Sequence, residues 1–302
     1  MKLMTKYVFC FLWVISALYS CTKPSSDGSG EQNSTDITDK IKECIFVLKG
    51  AESLKEGDSM VVFVPSLESS YTTQIINSEG MKMLPLQIED NNGITTGDAI
   101  YACTPSAGVQ EYKDPTKVVL SIPSEQKQSE NNFDLSQFPL VSEPFIADRT
   151  LPTNRKELAG TINTTPLYAI ARFDICIMQN LNASQKVESV TLTSDGIAGN
   201  FSYDLTSNEG LVPALDKNSI TTQVEGLYIS SMNSVVSVYM ALAPGEHSGA
   251  VVAKIGETEI SLVLENATFE CGRITPVGLF VQDDITGGNE EFNPSEDFDW
   301  EE

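Results

Sequence analysis

Apolar and polar residues alternate over short stretches along most of this chain. "KVVLSIP" (117–123) puts Val118, Leu120 and Ile122 on one face. "ARFDICIM" (171–178) sets Phe173, Ile175 and Ile177 against Arg172, Asp174 and Cys176. "ESVTLTS" (188–194) alternates through Val190 and Leu192, and "VVSVYMALAP" (235–244) through Val236, Val238, Met240 and Leu242. A period of two is the mark of a strand with one face buried. "MVVFVP" (60–65) is continuously apolar, as expected of a strand covered on both faces. "GAVVAKIGETEISLVLE" (249–265) predicts a hairpin turning at Gly256-Glu257, a type II′ candidate. No stretch holds a 3.6-residue period over a dozen positions, and there is no exact internal repeat. Short strands broken by Gly, Pro, Asn and Asp predict an all-β chain of sandwiches or barrels.

A polar, Pro- and Thr-rich stretch, "DRTLPTNRKELAGTINTTP" (148–166), separates two β-rich halves. With 302 residues, two domains are expected, here over 37–160 and 161–281. Residues 282–302, "QDDITGGNEEFNPSEDFDWEE", form a distinct tail of nine acids and no base.

The first twenty residues are of another kind. Lys2 and Lys6 precede an apolar run, "YVFCFLWVISAL" (7–18), of signal-peptide length and too short for a typical membrane span. Leu18-Tyr19-Ser20-Cys21 resembles a bacterial lipobox. The resemblance implies cleavage after residue 20 and acylation of Cys21 by diacylglycerol and palmitate, several acyl chains together giving stable anchorage. The run that follows, over residues 21–36, is Ser-, Gly- and Asp-rich and reads as a flexible tether.

Charge narrows the partners. Lys2 and Lys6 lie in the leader, which leaves 17 of the 19 basic side chains against 42 acidic ones, a net of −25. Such a surface repels nucleic acid and anionic lipid. Beyond Cys10 in the leader and Cys21, four cysteines remain: Cys44, Cys103, Cys176 and Cys271. Outside the cytoplasm they allow three disulfide connectivities or buried thiols, and their spacings of 59, 73 and 95 residues fit no zinc motif.

Catalytic motifs are sparse. His247, in "PGEHSG", is the single histidine and is expected as an exposed turn residue, although a pairing with Cys176 as nucleophile is formally open. There is no P-loop, no G-x-G-x-x-G and no G-x-S-x-G. Asp283-Asp284 and Glu290-Glu291 lack the spacing of a calcium loop. The expectation is a non-enzyme with no cofactor and no metal.

Five stretches, in order over about 50–280, resemble the fimbrillin family, the FimA-like and Mfa-like fimbrial lipoproteins of Bacteroidetes. They are "LKEGDSMVVFV" (54–64), "GDAIYACTPSAGV" (97–109), "LSIPSEQKQSENNFDLSQFPLVSE" (120–143) with its Pro-x-x-Gln stretch, "TTPLYAIARFDICI" (164–177), and "ALAPGEHSGAVVAKIGETEISLVLENATFECGRITPVGL" (241–279). The first has Val where the family usually has Gly. The resemblance implies two tandem transthyretin-like β-sandwich domains behind a lipoprotein signal peptide. It also implies a place on the outer membrane or in a fimbria, a role in surface adhesion, and assembly with other fimbrial subunits by strand donation. In that family, stalk subunits lose a first strand to an Arg-directed protease. Here no arginine lies between Cys21 and Arg149, and only Lys40, Lys42 and Lys49 flank the candidate first strand "KECIFVLKG" (42–50). Retention of that strand fits an anchor or terminal subunit better than a stalk. "ITPVGLFVQ" (274–282), with Ile274, Val277, Leu279 and Val281, is the expected C-terminal donor. The competing reading is a glycan- or ligand-binding surface lipoprotein. Trp13 falls in the leader, so Trp300 alone is left as a mature tryptophan for stacking on sugars.

Overall fold

Alternation in the sequence becomes strand wherever it was read. The computed structural model describes residues 40–88, 93–104, 117–130, 132–148, 157–177, 184–206, 215–230 and 234–281. The leader, the tether, Cys21 and the tail over 282–302 lie outside them. In chain order the strands begin with β1 (Glu43–Lys49), β2 (Ser59–Val64), β3 (Ser69–Gln74), β4 (Ile76–Ser78), β5 (Met81–Gln87) and β6 (Ala99–Cys103). Next come β7 (Lys117–Ile122), β8 (Glu125–Ser129), β9 (Asn132–Phe133), β10 (Leu140–Ser142), β11 (Phe145–Ile146) and β12 (Glu157–Pro166). The rest are β13 (Ala169–Ile177), β14 (Gln185–Asp204), β15 (Lys217–Glu225), β16 (Tyr228–Ile229), β17 (Val235–Leu242), β18 (Gly245–Ile255), β19 (Thr258–Phe269) and β20 (Ile274–Val281). Among the described residues the only helical pieces are two single 3-10 turns, Pro65–Leu67 and Leu135–Gln137.

The first sheet runs β3-β2-β6-β10-β12-β1-β5-β4, with β11 beside β6. β12 makes it continuous. Its residues up to Asn163 pair with β1, and Thr164–Pro166 pair with β10. One long strand thereby serves two leaves whose apolar faces meet. Phe46 of β1 lies edge-on to Phe145 of β11, ring centres 5.2 Å apart. β2 is buried at every position from Met60 to Val64, which is why its sequence shows no alternation.

The later strands form a small sheet, β17-β13-β20, and a larger one, β19-β18-β14-β15-β8-β9, with β7 and β16 also on β14. Phe173 and Ile175 of β13, Val238 and Met240 of β17, and Val277 and Leu279 of β20 are buried in one core with Val190 and Leu192 of β14 and Val251 and Ala253 of β18. β18 and β19 turn through Gly256-Glu257, with Ile255 opposite Thr258 and Gly256 at φ 56°, as the hairpin reading expected.

Two pairings depart from a simple division of the chain into halves. Residue 160 falls inside β12. Its polar look has a physical origin: Leu158, Ile162 and Thr164 are buried, while Ala159, Thr161, Asn163 and Thr165 face out. β7 and β8, from the earlier half, hydrogen-bond to β14 and β15, with Leu120 opposite Phe201 and Gln126 opposite Thr222.

Candidate functional site

Binding by strand exchange needs an edge or a vacated groove, so the first strand and the sheet edges are the places to look. β1 is not an edge. It runs parallel to β12 from Glu43↔Glu157 to Lys49↔Asn163, and antiparallel to β5 from Glu43↔Gln87 to Val47↔Met83. Cys44, Phe46 and Leu48 point into the core, and the positions between them lie on the other face. Lifting β1 out would leave a groove between β5 and β12 with three alternating apolar pockets. Gly160 is the register partner of Phe46, and a Cβ there would stand 2.3 Å from the Phe145 ring. The missing side chain is what lets that ring pack against Phe46.

Both ends of β1 are pinned. The Lys42 carbonyl accepts from the Ile88 amide at 2.8 Å. The Lys49 carbonyl accepts from Thr164 Oγ1 at 2.9 Å. Gly50 follows at φ 73°, so close to β12 that a Cβ would fall 2.3 Å from the Thr164 carbonyl oxygen. Lys82 Nζ then donates to the Ala51 and Glu52 carbonyls, each at 2.7 Å. Burial lowers the Lys82 pKa against the opposing pull of Glu52 and Asp58.

The segment read as an outgoing donor is built into the chain's own sheet. β20 pairs in parallel with β13 from Ile274 to Val281, and Val277 and Leu279 are buried. The apolar spacing that suggested donation to a neighbour fills this chain's own core.

His247 is not an exposed turn residue. It lies in β18 and is buried. Nε2 donates to the Ala243 carbonyl at 2.9 Å, and Nδ1 is hydrogen-bonded to Ser194 Oγ at 3.2 Å. The Phe269 ring lies 6.0 Å away. The "PGEHSG" run looks like a turn because it carries a bulged strand: the β18–β19 register slips between His247 and Gly249, and Gly245 takes φ 138°. Both ring nitrogens are spent on structure, and among the described residues no carboxylate bonds the Ser–His pair.

The cysteines are spread through the fold. Cys44 and Cys103 are buried free thiols; burial pushes each up to about 12, with Glu43 adding to the shift at Cys44. Cys271 is a free thiol on an exposed residue, and its sulfur donates to the Pro166 carbonyl at 2.8 Å. Cys176 is buried on β13. Among the described residues no group of three His, Cys, Asp or Glu side chains is placed to hold a metal. Tyr228 is the one exposed aromatic among them, and Tyr71, Phe133, Phe145 and Tyr239 are half-buried. A third chemistry, invisible in the sequence, is the buried pair Gln126 and Gln128 on β8. Their i, i+2 spacing in "EQKQS" puts amides where a strand would carry apolar side chains.

No protein-family model and no curated protein matches the sequence. Solved structures do. A candidate cell adhesion protein from Bacteroides ovatus superposes with a TM-score of 0.53 at 12% identity, over 80% of this chain and 92% of that one. The likeness is one of fold. It agrees at that level with the all-β class and with the fimbrillin-like resemblance. A second candidate cell adhesion protein, from Bacteroides uniformis, aligns at a TM-score of 0.47 and 8% identity, over 80% of this chain and 93% of that one. A fimbrial assembly protein from Parabacteroides distasonis aligns at 0.39 and 10%, over 78% and 89%.

Proposed function

We propose that this chain is a lipid-anchored fimbrial subunit of the bacterial surface, acting in adhesion and assembling with other subunits by β-strand exchange. It keeps its own first strand and serves as an anchor or terminal subunit. The observation that carries the reading is the position of β1: the first strand of the body is interior, hydrogen-bonded on both sides, and its loss would open a groove matched to an incoming strand. The fold shared with the Bacteroides ovatus protein supports the class.

Retention follows from local chemistry. No arginine precedes Arg149 in the body, so an Arg-directed protease has nowhere to cut near β1. Lys42 and Lys49 are poor substrates, because their carbonyls are both held in hydrogen bonds and a protease needs an extended, unengaged segment. With β1 in place, Cys21 stays joined to the body, and the acyl chains tether it to the outer membrane. Since β20 is committed to its own sheet, a donor would lie beyond it, where residues 282–302 carry Phe292, Phe298 and Trp300.

Two measurements test this. Palmitate labelling is expected in the native chain and absent from Cys21→Ser; no labelling of the native chain refutes the anchor. N-terminal analysis of the assembled subunit is expected to find the acylated Cys21, and a start between residues 43 and 60 refutes retention.

A further inference from the structure

β17 is built like an edge that invites addition. "VVSVYMAL" is eight residues long with no proline and no charge, and Val235 is 58% exposed. β13 occupies one side of it. On the other side no strand of the described residues pairs with it. Such an edge ordinarily presents a row of backbone donors and acceptors to any passing chain.

Side chains take those groups instead. Gln126 Oε1 accepts from the Ala241 amide at 2.9 Å, and its Nε2 donates to the Ala241 carbonyl at 2.6 Å. Gln128 Oε1 accepts from the Tyr239 amide at 2.7 Å, and its Nε2 donates to the Ser237 carbonyl at 3.0 Å. Thr222 Oγ1, on β15, donates to the Tyr239 carbonyl at 3.2 Å. Five successive outward groups of the edge are thus bonded by three side chains, all of them 0–1% exposed.

The geometry has a simple cause. Residues i and i+2 on one strand stand about 6.7 Å apart on one face, the repeat of outward groups along another. β8 therefore hydrogen-bonds through its backbone to β15 in one sheet and through its amides to β17 in the other. The second Nε2 hydrogens are used too, on the Pro123 carbonyl for Gln126 and the Glu130 carbonyl for Gln128. The opposite edge of the same sheet, β20, is blunted differently. Ile170 N bonds Arg273 O, so the odd-numbered residues of β20 turn their backbone groups to β13. Pro276 is even-numbered and removes an outward donor from mid-edge.

We propose that Gln126 and Gln128, with Thr222, form an edge lock that withholds β17 from strand addition by a second copy of this chain. Under the strand-exchange reading, on which this consequence alone rests, the lock keeps addition away from β17 and leaves it to other edges.

The test uses the isolated full chain with no fimbrial partner, so failure of strand exchange in assembly would leave it standing. Residue-resolved hydrogen exchange of the native chain should show the Tyr239 and Ala241 amides protected to within about tenfold of Val238 and Met240, which bond β13. Exchange at the rate of open-edge amides overturns the lock. In Gln126→Leu/Gln128→Leu the two amides should lose at least about tenfold in protection while Val238 and Met240 keep theirs, and sedimentation should show concentration-dependent dimers. Unchanged protection, or lost protection in a chain that stays monomeric, overturns it. Should the double variant not fold, Gln128→Leu alone is expected to deprotect Tyr239 and spare Ala241; equal effects on both refute the pairing.

Discussion

Phe46→Ala tests the claim that β1 is held by its core contacts as well as by its hydrogen bonds. The ring is fully buried, it touches Phe145 edge-on, and it lies opposite Gly160, which leaves no side chain to fill a gap. Truncating a buried Phe to Ala costs about 3–5 kcal/mol. Collapse to relieve the cavity is opposed on both flanks, since β5 and β12 are fixed by their ladders to β1. The upper half of that range is therefore expected. At a urea slope of about 2–3 kcal/mol/M, the unfolding midpoint should fall by about 1.3–2.5 M. A second readout separates local from global loosening. Cys44 sits two residues away, 1% exposed. Its labelling by a thiol reagent, located by mass spectrometry and compared with Cys103, reports on opening of β1 itself. Phe46→Ala should speed labelling of Cys44 more than that of Cys103 under native conditions. A midpoint shift below about 0.3 M, or equal acceleration at the two cysteines, would refute the reasoning.

Alkali should destabilise the fold. Burial raises the Cys44 and Cys103 thiols from 9.0 to about 12, so the unfolded chain ionises them first; their contribution is whole below about pH 9 and drains away as pH climbs toward about 12, at roughly 1.4 kcal/mol per unit and thiol. Urea midpoints taken between about pH 8 and 11 should fall, and Cys44→Ala/Cys103→Ala should flatten the slope. Gly249→Ala should be more damaging than its size suggests, because its Cβ would stand 1.8 Å from the Thr193 carbonyl oxygen of the neighbouring strand. A loss of about 2–3 kcal/mol in equilibrium unfolding is expected, and a loss under about 0.5 kcal/mol contradicts the close approach.

Period-two patterning located strands and their buried faces because each alternate position must meet the core. Val118, Leu120 and Ile122 are buried as read, as are Val190 and Leu192. Patterning is silent on which strand a given strand joins. Nothing in "KVVLSIP" says that it lies beside Phe201, some eighty residues on, and nothing in "ITPVGLFVQ" distinguishes a strand kept from a strand given away. His247 was hidden by a glycine-rich bulge that imitates a turn. Gln126 and Gln128 were hidden because a buried amide is legible only once its backbone partners are known. The interior position of β1 was likewise out of reach, since it depends on β12, more than a hundred residues away.

That distance bears on how the chain must come together. Glu43 finds its parallel partner at Glu157, so the earliest strand of the body has to wait until 114 further residues have been made before its ladder can close. Until then β1 has a ladder on one side only, the antiparallel one to β5. A beginning that closes onto its middle through contacts of such long separation is slow to form, and one flank of it stays open to other chains meanwhile.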